Sequence, residues 1–289
     1  MSLIGTMGSG VTALRTFMKG LEVIGNNIAN VNTTAFKGSD AKYADSFSTI
    51  LQRSAVASTG AASISIGTGV KLSGVSVDYS QGSLANTGKE TDLGVAGTGF
   101  FRVKDPSAGG SEYATRAGEF RWDQDGFLVT SQGYRVQGLT GTGLAAIGDV
   151  QLATPPTGTQ LQSATIDRSG NVVEFYSDGT SSTSNQLLLQ AFTDPSSLTI
   201  AGNNLFTGFL AAGPIGAAAN SSALQVGIVN APGKNGLGII QSGYLELSNV
   251  NLTDQFANLI TTQRSFQAAS RLITVSDTIL EDIVSLKRN

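Results

Sequence analysis

The chain contains no cysteine and no histidine. The first absence removes thiolate chemistry and disulfide staples, so packing or neighbouring molecules must supply the stability. The second removes the commonest general base near neutral pH and the commonest zinc ligand, and with them a Ser-His-Asp triad. Charge is also scarce: 13% of the 289 residues are Asp, Glu, Lys or Arg, and the net charge is −3. No basic stripe follows from such a composition, and nucleic acid is not an expected partner. No apolar run reaches the ~18 residues of a membrane span. Residues 1–30 lack the basic start, apolar stretch and cleavage site of a secretory signal. Work outside the cytoplasm would need a route without a cleaved signal.

What the chain does have is helical periodicity at its two ends and a middle rich in Gly, Ser, Thr, Asn and Ala. Leu14, Phe17, Leu21, Ile24, Ile28 and Val31 follow a 3-4-3-4-3 spacing, the a/d seam of a coiled coil, and Met7 and Gly10 extend it backwards. Near the other end Leu252, Leu259, Phe266, Ile273 and Leu280 form one seam column. The second column reads Phe256, Gln263, Ser270, Asp277 and Val284. Asn251 and Asp254 suit the start of this helix, and Lys287 with Arg288 suits its end. At about 1.5 Å per residue each helix is roughly 40–55 Å long, too long for the inside of a globule this size, so the two are expected to pair. The first carries only Arg15, Lys19 and Glu22 as charges, and Met18 and Val23 are apolar off the seam. That pattern points to neighbours on more than one face. A helical stalk on a monomeric β domain is the simpler alternative.

Between the ends the pattern is β. Val70, Leu72, Val75, Val77 and Tyr79 alternate, with a phase slip at Gly74 that a β-bulge would produce. Strand patterns follow over 93–103, 113–122, 127–130 and 134–136, separated by Ala117-Gly118, Asp125-Gly126 and Gln132-Gly133. Further strands are expected at 163–166, 172–176, 187–192 and 224–229, and a loop at 211–220. The reading is an α+β fold: discontinuous N- and C-terminal helices forming a coiled-coil stalk, with a central all-β domain, a meander or barrel. Its parts are 1–31 with 248–289 as the helical domain, 32–78 as an extended connector, and 79–247 as the β-rich outer domain.

Candidate chemistry is thin. Asp123-Gln124-Asp125-Gly126 opens like a calcium loop, but Leu128 and Tyr134 stand where an EF-hand needs Gly and Glu, and a β-turn is favoured. Gly97-Thr98-Gly99 begins like a dinucleotide fingerprint, yet Phe100-Phe101-Arg102-Val103 continues as a strand and opens no helix. Nothing pairs a Ser with a Lys. We assign no catalytic residue, metal site or cofactor. Asn26, Asn27, Asn30 and Asn32 cluster at the end of the first helix. Asn30 and Asn32 suit capping, whereas Asn26 and Asn27, off the seam, are candidates for subunit contacts or a polar lumen.

Ser9-Gly10-Val11-Thr12-Ala13-Leu14 and the run from Asn26 to Lys37 resemble the N-terminal signature of the bacterial flagellar rod and hook axial proteins. Ser248-Asn249-Val250-Asn251-Leu252, continuing through Gln263-Arg264-Ser265-Phe266-Gln267 to Leu286-Lys287-Arg288, resembles the C-terminal signature of that family. Tyr79 to Leu84, Gly99 to Val103, Arg116 to Phe120, Asp125 to Val129 and Asn203 to Phe206 are similar too. The resemblance implies terminal helices around a central export channel, β domains outside, and type III export without a cleaved signal.

Asp40 to Phe47 and Gly133 to Gly138 look more like the hook than the rod, while the chain's length and residues 163–206 look more like the distal rod. The expectation is therefore a structural, non-enzymatic subunit of the hook, a self-assembling tube that transmits torque, with the distal rod as alternative. Its expected partners are further copies of itself, the rod, hook-cap and hook-filament junction proteins and the type III export apparatus, in the extracellular hook or periplasmic basal body. A trimeric fibre or adhesin with a glycan-binding β domain is a second class of reading, and a Ser/Lys hydrolase a third.

Overall fold

A computed structural model describes residues 3–52, 64–107, 109–141, 146–216 and 230–288. The architecture is α+β, with helices at both ends and a β-rich middle. The chain divides into two compact units. Met1–Val31, Gly38–Asp78 and Val250–Asn289 make a helical unit, and Asn32–Lys37 with Tyr79–Asn249 make a β unit. Of the stretch 32–78, read from the sequence as an extended connector, Asn32–Lys37 falls in the β unit and Gly38–Asp78 in the helical unit.

In the helical unit α1 (Leu3–Ala29) is followed by a two-stranded ribbon. Strand β1 (Ser39–Asp45) pairs antiparallel with β4 (Val70–Val77), and β2 (Ser48–Gln52) with β3 (Ile64–Gly67). The register of β1 and β4 slips where Lys42 faces Gly74 and Tyr43 faces Leu72. Ser73 is the extra residue of a bulge at the predicted place, and it keeps apolar side chains on one face across the break. The long helix at the other end, Leu252–Arg288, opens with a cap in which Thr253 N donates to Asn251 Oδ1 at 3.0 Å.

The β unit holds β5 (Leu84–Asn86), β6 (Leu93–Ala96), β7 (Phe100–Lys104), β8 (Glu112–Thr115), β9 (Phe120–Trp122), β10 (Leu128–Thr130) and β11 (Arg135–Thr140). It continues with β12 (Ala146–Asp149), β13 (Leu161–Ile166), β14 (Asn171–Tyr176), β15 (Ser181–Leu187), β16 (Leu189–Gln190), β17 (Thr199–Gly202) and β18 (Leu205–Thr207). A short helix α2 (Phe209–Ala212) precedes β19 (Ile239–Ser242) and β20 (Tyr244–Glu246), and α3 is the terminal helix Leu252–Arg288. Among the described residues the main sheet runs β13-β14-β15-β11-β7-β8-β18-β17, an open path. The barrel expected as one possibility does not close; runs such as β13-β14-β15 are meanders. The strand expected at 224–229 lies outside the described residues, as does part of the loop expected at 211–220.

Strand β7 shows how the sheet is buried on both faces. Successive side chains alternate, so Phe101 and Val103 enter a core with Leu93, Leu128, Val136, Leu187 and Ile240, while Phe100 joins Phe192, Phe206 and Phe209 on the other side. Arg102, on the Phe100 face, is buried but ion-paired to Glu112 and stacked 5.1 Å from the Phe209 ring. The Gly97-Thr98-Gly99 motif is a backbone contact: Gly97 has φ 114°, and a Cβ there would lie 2.8 Å from Gly238 Cα. Asp123 to Gly126 is a plain turn between β9 and β10, closed by Gly126 N to Asp123 O at 2.9 Å. No helix among the described residues is long and apolar enough to cross a membrane.

Candidate assembly interface

The residues singled out in the sequence lie in the helical unit, where α1 has two neighbours of its own chain. One is the ribbon. A two-stranded ribbon leaves edge carbonyls without ladder partners, and α1 meets them with small hydroxyls. Ser9 Oγ donates to Thr68 O at 3.1 Å and Thr16 Oγ1 to Val70 O at 3.1 Å. Further along, Phe17 packs edge-on to Tyr43 at 6.3 Å, and the Tyr43 hydroxyl occupies the space where Gly20 lacks a side chain. Burial pushes the pKa of that hydroxyl upward.

The second neighbour is α3, which runs antiparallel. A Cβ on Gly10 would meet Ile273 at 3.0 Å, one on Gly20 would meet Thr262 at 3.8 Å, and Asn27 Nδ2 donates to Gln255 Oε1 at 3.1 Å. In this register the first described residues of α1 lie level with Ile279 and Leu280, and α3 continues two further turns to Arg288.

On α1, Ile24 is buried and Leu14, Phe17, Leu21 and Ile28 are half-buried; Val31, expected to continue the seam, is half-buried in the turn beyond the helix end at Ala29. On α3, Leu259, Phe266, Ile273 and Leu280 are half-buried as one column. The other column is displaced from expectation. Phe256 and Val284 are 50% and 62% exposed, and Leu252 is also exposed. The covered positions lie one residue earlier: Gln255 and Thr262 half-buried, Ala269 and Ser276 buried. The cause is close approach. Gly20 on α1 lies against Thr262, and the hydroxyls of Thr262 and Ser276 are satisfied by their own helix, donating to Asn258 O and Leu272 O at 2.7 Å each. A small-residue column at seven-residue intervals was the available signal.

Asn27, a candidate for subunit contacts or a polar lumen, is buried against its own chain. Its Nδ2 donates to Ser39 O at 2.8 Å, its Oδ1 accepts from Ser39 N at 2.9 Å, and the same Nδ2 reaches Gln255. One side chain thus joins α1, β1 and α3. Asn26 is exposed and held by Asn30, whose Nδ2 donates to Asn26 Oδ1 at 2.8 Å.

Much apolar surface remains uncovered on α3. Leu252, Phe256 and Ile260 project from its first half, and Leu272, Val275, Ile279, Ile283 and Leu286 from its second. At 100° per residue the two stripes sit about 140° apart around the helix. On the outer face of α1, Val11 and Met18 are exposed, and Gly5, Gly8 and Gly25 would carry a Cβ into open space. Among the described residues no three His, Cys, Asp or Glu side chains group as metal ligands would.

Three stretches of the chain match family models: residues 7–37 the flagella basal body rod protein, 94–174 the flagellar hook protein FlgE/F/G D1 domain, and 241–286 the flagellar basal body rod FlgEFG protein C-terminal region. Across its whole length the chain is 36% identical to the flagellar basal-body rod protein FlgG of Bacillus subtilis, covering 99% of this chain and 100% of that one. The chain belongs to the flagellar rod and hook axial family. The rod protein FlgG of Agrobacterium fabrum is 31% identical over 96% of both chains. The hook protein FlgE of Helicobacter mustelae is 40% identical over 143 residues, 47% of this chain and 31% of that one. Among solved structures, the flagellar hook protein FlgE2 of Helicobacter pylori aligns over 64% of this chain and 47% of that chain at 12% identity and a TM-score of 0.22, too slight a likeness to argue from.

An axial family member is a structural component of the flagellum, in the basal body or hook, that works as a homopolymer and not as an enzyme. The hydrolase reading is set aside by that membership, and so is the trimeric fibre.

Proposed function

We propose that the chain is a subunit of the distal rod, polymerising into a helical tube around a central channel. The observation that carries this reading is coverage: the rod relative from Bacillus subtilis matches from end to end, whereas the hook relative shares under a third of its own length. The β unit ends at Asn249, and the chain passes from there into the helical unit and α3.

In this reading α1 and α3 form a coiled-coil pair within each subunit, and the uncovered stripes of α3 contact two different neighbouring copies, one along each flank. Non-closing, head-to-tail contacts of this kind build a filament. Until those contacts form, the exposed stripes have no partner, and the helical unit is the least stable part of the free subunit. The subunit leaves the cell through the flagellar type III apparatus without a cleaved signal and joins other axial proteins at both ends of its segment.

The hook is the second reading. The local identity to a hook protein and the hook-like stretches Asp40 to Phe47 and Gly133 to Gly138 favour it. Basal bodies from a strain lacking the chain discriminate the two. Assembly stalled before the outer ring supports the distal rod; a complete rod missing only the curved segment overturns it in favour of the hook.

A further inference from the structure

The chain passes between its two units at four junctions, Val31 to Asn32, Lys37 to Gly38, Asp78 to Tyr79 and Asn249 to Val250. On the β unit's side, the residues beside these junctions converge on one buried carboxylate. Lys37 Nζ donates to Glu246 Oε1 at 2.6 Å and to Ser80 O at 2.7 Å. Gly82 N donates to the same Oε1 at 2.9 Å. On the other oxygen, Arg116 Nη1 approaches Oε2 at 3.3 Å while its Nη2 donates to Gly97 O at 2.9 Å. The three ionic side chains are 5% exposed or less.

Backbone bonds tie the same segments. Ala35 N donates to Glu246 O at 2.7 Å, Leu247 N to Ser83 O at 2.8 Å, and Asn249 N to Phe36 O at 3.3 Å. Gly82 lies directly on the Leu247 carbonyl, leaving no space for a side chain.

We propose that Lys37, Arg116 and Glu246 form a clasp that holds the chain's passages into and out of the β unit at one point and keeps its rim from peeling open. The neighbouring ladders are too short to do this. Strands β20 and β5 pair over three residues and β19 and β6 over four, and a two-stranded piece of that length is marginal by itself. Glu246 is the last residue of β20, opposite Leu84, at the end from which the chain runs on to α3. Tension along that segment meets the buried ion before it meets the ladder.

The arrangement is also asymmetric in its dependence on each member. One carboxylate serves two cations, so losing Glu246 removes an ion partner from both, whereas losing Lys37 leaves an Arg–Glu pair. Burial pulls the pKa of Arg116 down and Glu246 opposes that pull, which is the direction expected if the carboxylate compensates the guanidinium. The clasp is complete only once the C-terminal return has docked, and it applies to rod and hook readings alike.

Hydrogen exchange on the full-length monomer tests the clasp. In Glu246→Gln, amides of 35–37, 80–86 and 244–249 should exchange at least about a hundredfold faster than in the parent, with β7 and β11 unchanged. Lys37→Met should accelerate the same segments by a smaller factor, and Glu246→Asp should fall between parent and Gln. Unchanged exchange in the three segments, or acceleration spread evenly over the β unit, overturns the proposal. Should Glu246→Gln not fold, Lys37→Met decides by the same two outcomes.

Discussion

Asn27 and Gln255 share a hydrogen bond of 3.1 Å across a helix pair whose other facing residues are aliphatic, aromatic or small. The apolar column Leu259, Phe266, Ile273 and Leu280 repeats every seven residues, so packing alone tolerates α3 sliding by a heptad. A single buried amide in such a repeat specifies register. Because Asn27 also closes two bonds with Ser39, it fixes the ribbon to the same register.

Asn27→Ala should therefore destabilise the monomer by about 2–4 kcal/mol, since it strands buried polar groups on Ser39. Asn26→Ala, at an exposed position, should stay within ~0.5 kcal/mol. Denaturant unfolding of the free subunit measures both. The chain has no cysteine of its own, so register is read by cross-linking Gly10→Cys to Ile273→Cys. Adding Asn27→Leu should divert part of that yield to Phe266→Cys or Leu280→Cys.

The glycines of α1 should separate into two kinds. Gly20→Ala collides with the Tyr43 hydroxyl and should cost about 1–3 kcal/mol, which Tyr43→Phe relieves. Gly8→Ala and Gly25→Ala meet nothing among the described residues and should gain about 1 kcal/mol each from helix propensity. If the outer face of α1 is covered in the tube, these stabilised subunits polymerise more slowly; sedimentation of polymer against monomer melting shows the split.

Polar replacements on the uncovered stripes should affect assembly and not folding. Val275→Ser and Ile279→Ser on one flank, or Phe256→Ser and Ile260→Ser on the other, should change monomer stability by no more than ~0.5 kcal/mol. Each pair should abolish tube formation seen by electron microscopy. Tubes of normal yield from either pair would remove that flank from the interface.

Ala35 sits at φ 55° and is 1% exposed. Left-handed geometry costs a non-glycine residue about 1–2 kcal/mol, but glycine gives up a buried methyl worth ~0.8 kcal/mol and gains unfolded-state entropy. These terms nearly cancel, and Ala35→Gly should be close to neutral. Ala35→Val, branched and buried at the same φ, should cost more than ~2 kcal/mol. Thermal melts of the two variants check the sign.

Tyr176 donates to the buried Glu174 at 2.6 Å, and its pKa is pushed up to about 12, first by that bond and then by burial. A folded pKa above the unfolded value near 10 means that the stabilisation is complete below pH 10 and is lost as pH rises through about 12. Alkaline unfolding should set in across that window. Tyr176→Phe should be less stable at neutral pH by about 1–3 kcal/mol and show a weaker alkaline loss, followed by circular dichroism.

Local rules were enough for several elements. The phase slip at Gly74 gave the bulge, and Asn251 capped α3. What escaped depended on partners distant in sequence. Ser181 to Leu187 is polar and carries no strand pattern, yet it forms β15 between β14 and β11. Thr262 and Ser276 look like surface positions until their hydroxyls are seen to bond their own helix. Glu246 reads as an ordinary exposed acid; its two cations are 209 and 130 residues away, beyond anything periodicity reports.

The unequal lengths of α1 and α3 give the helical unit a direction. Two turns of α3 run past the first described residues of α1, whereas at the opposite end Ala29 lies level with the start of α3 near Leu252. One end is flush and the other overhangs, so the two ends of a subunit offer unlike surfaces and turning it end over end would bring the wrong one to its neighbour.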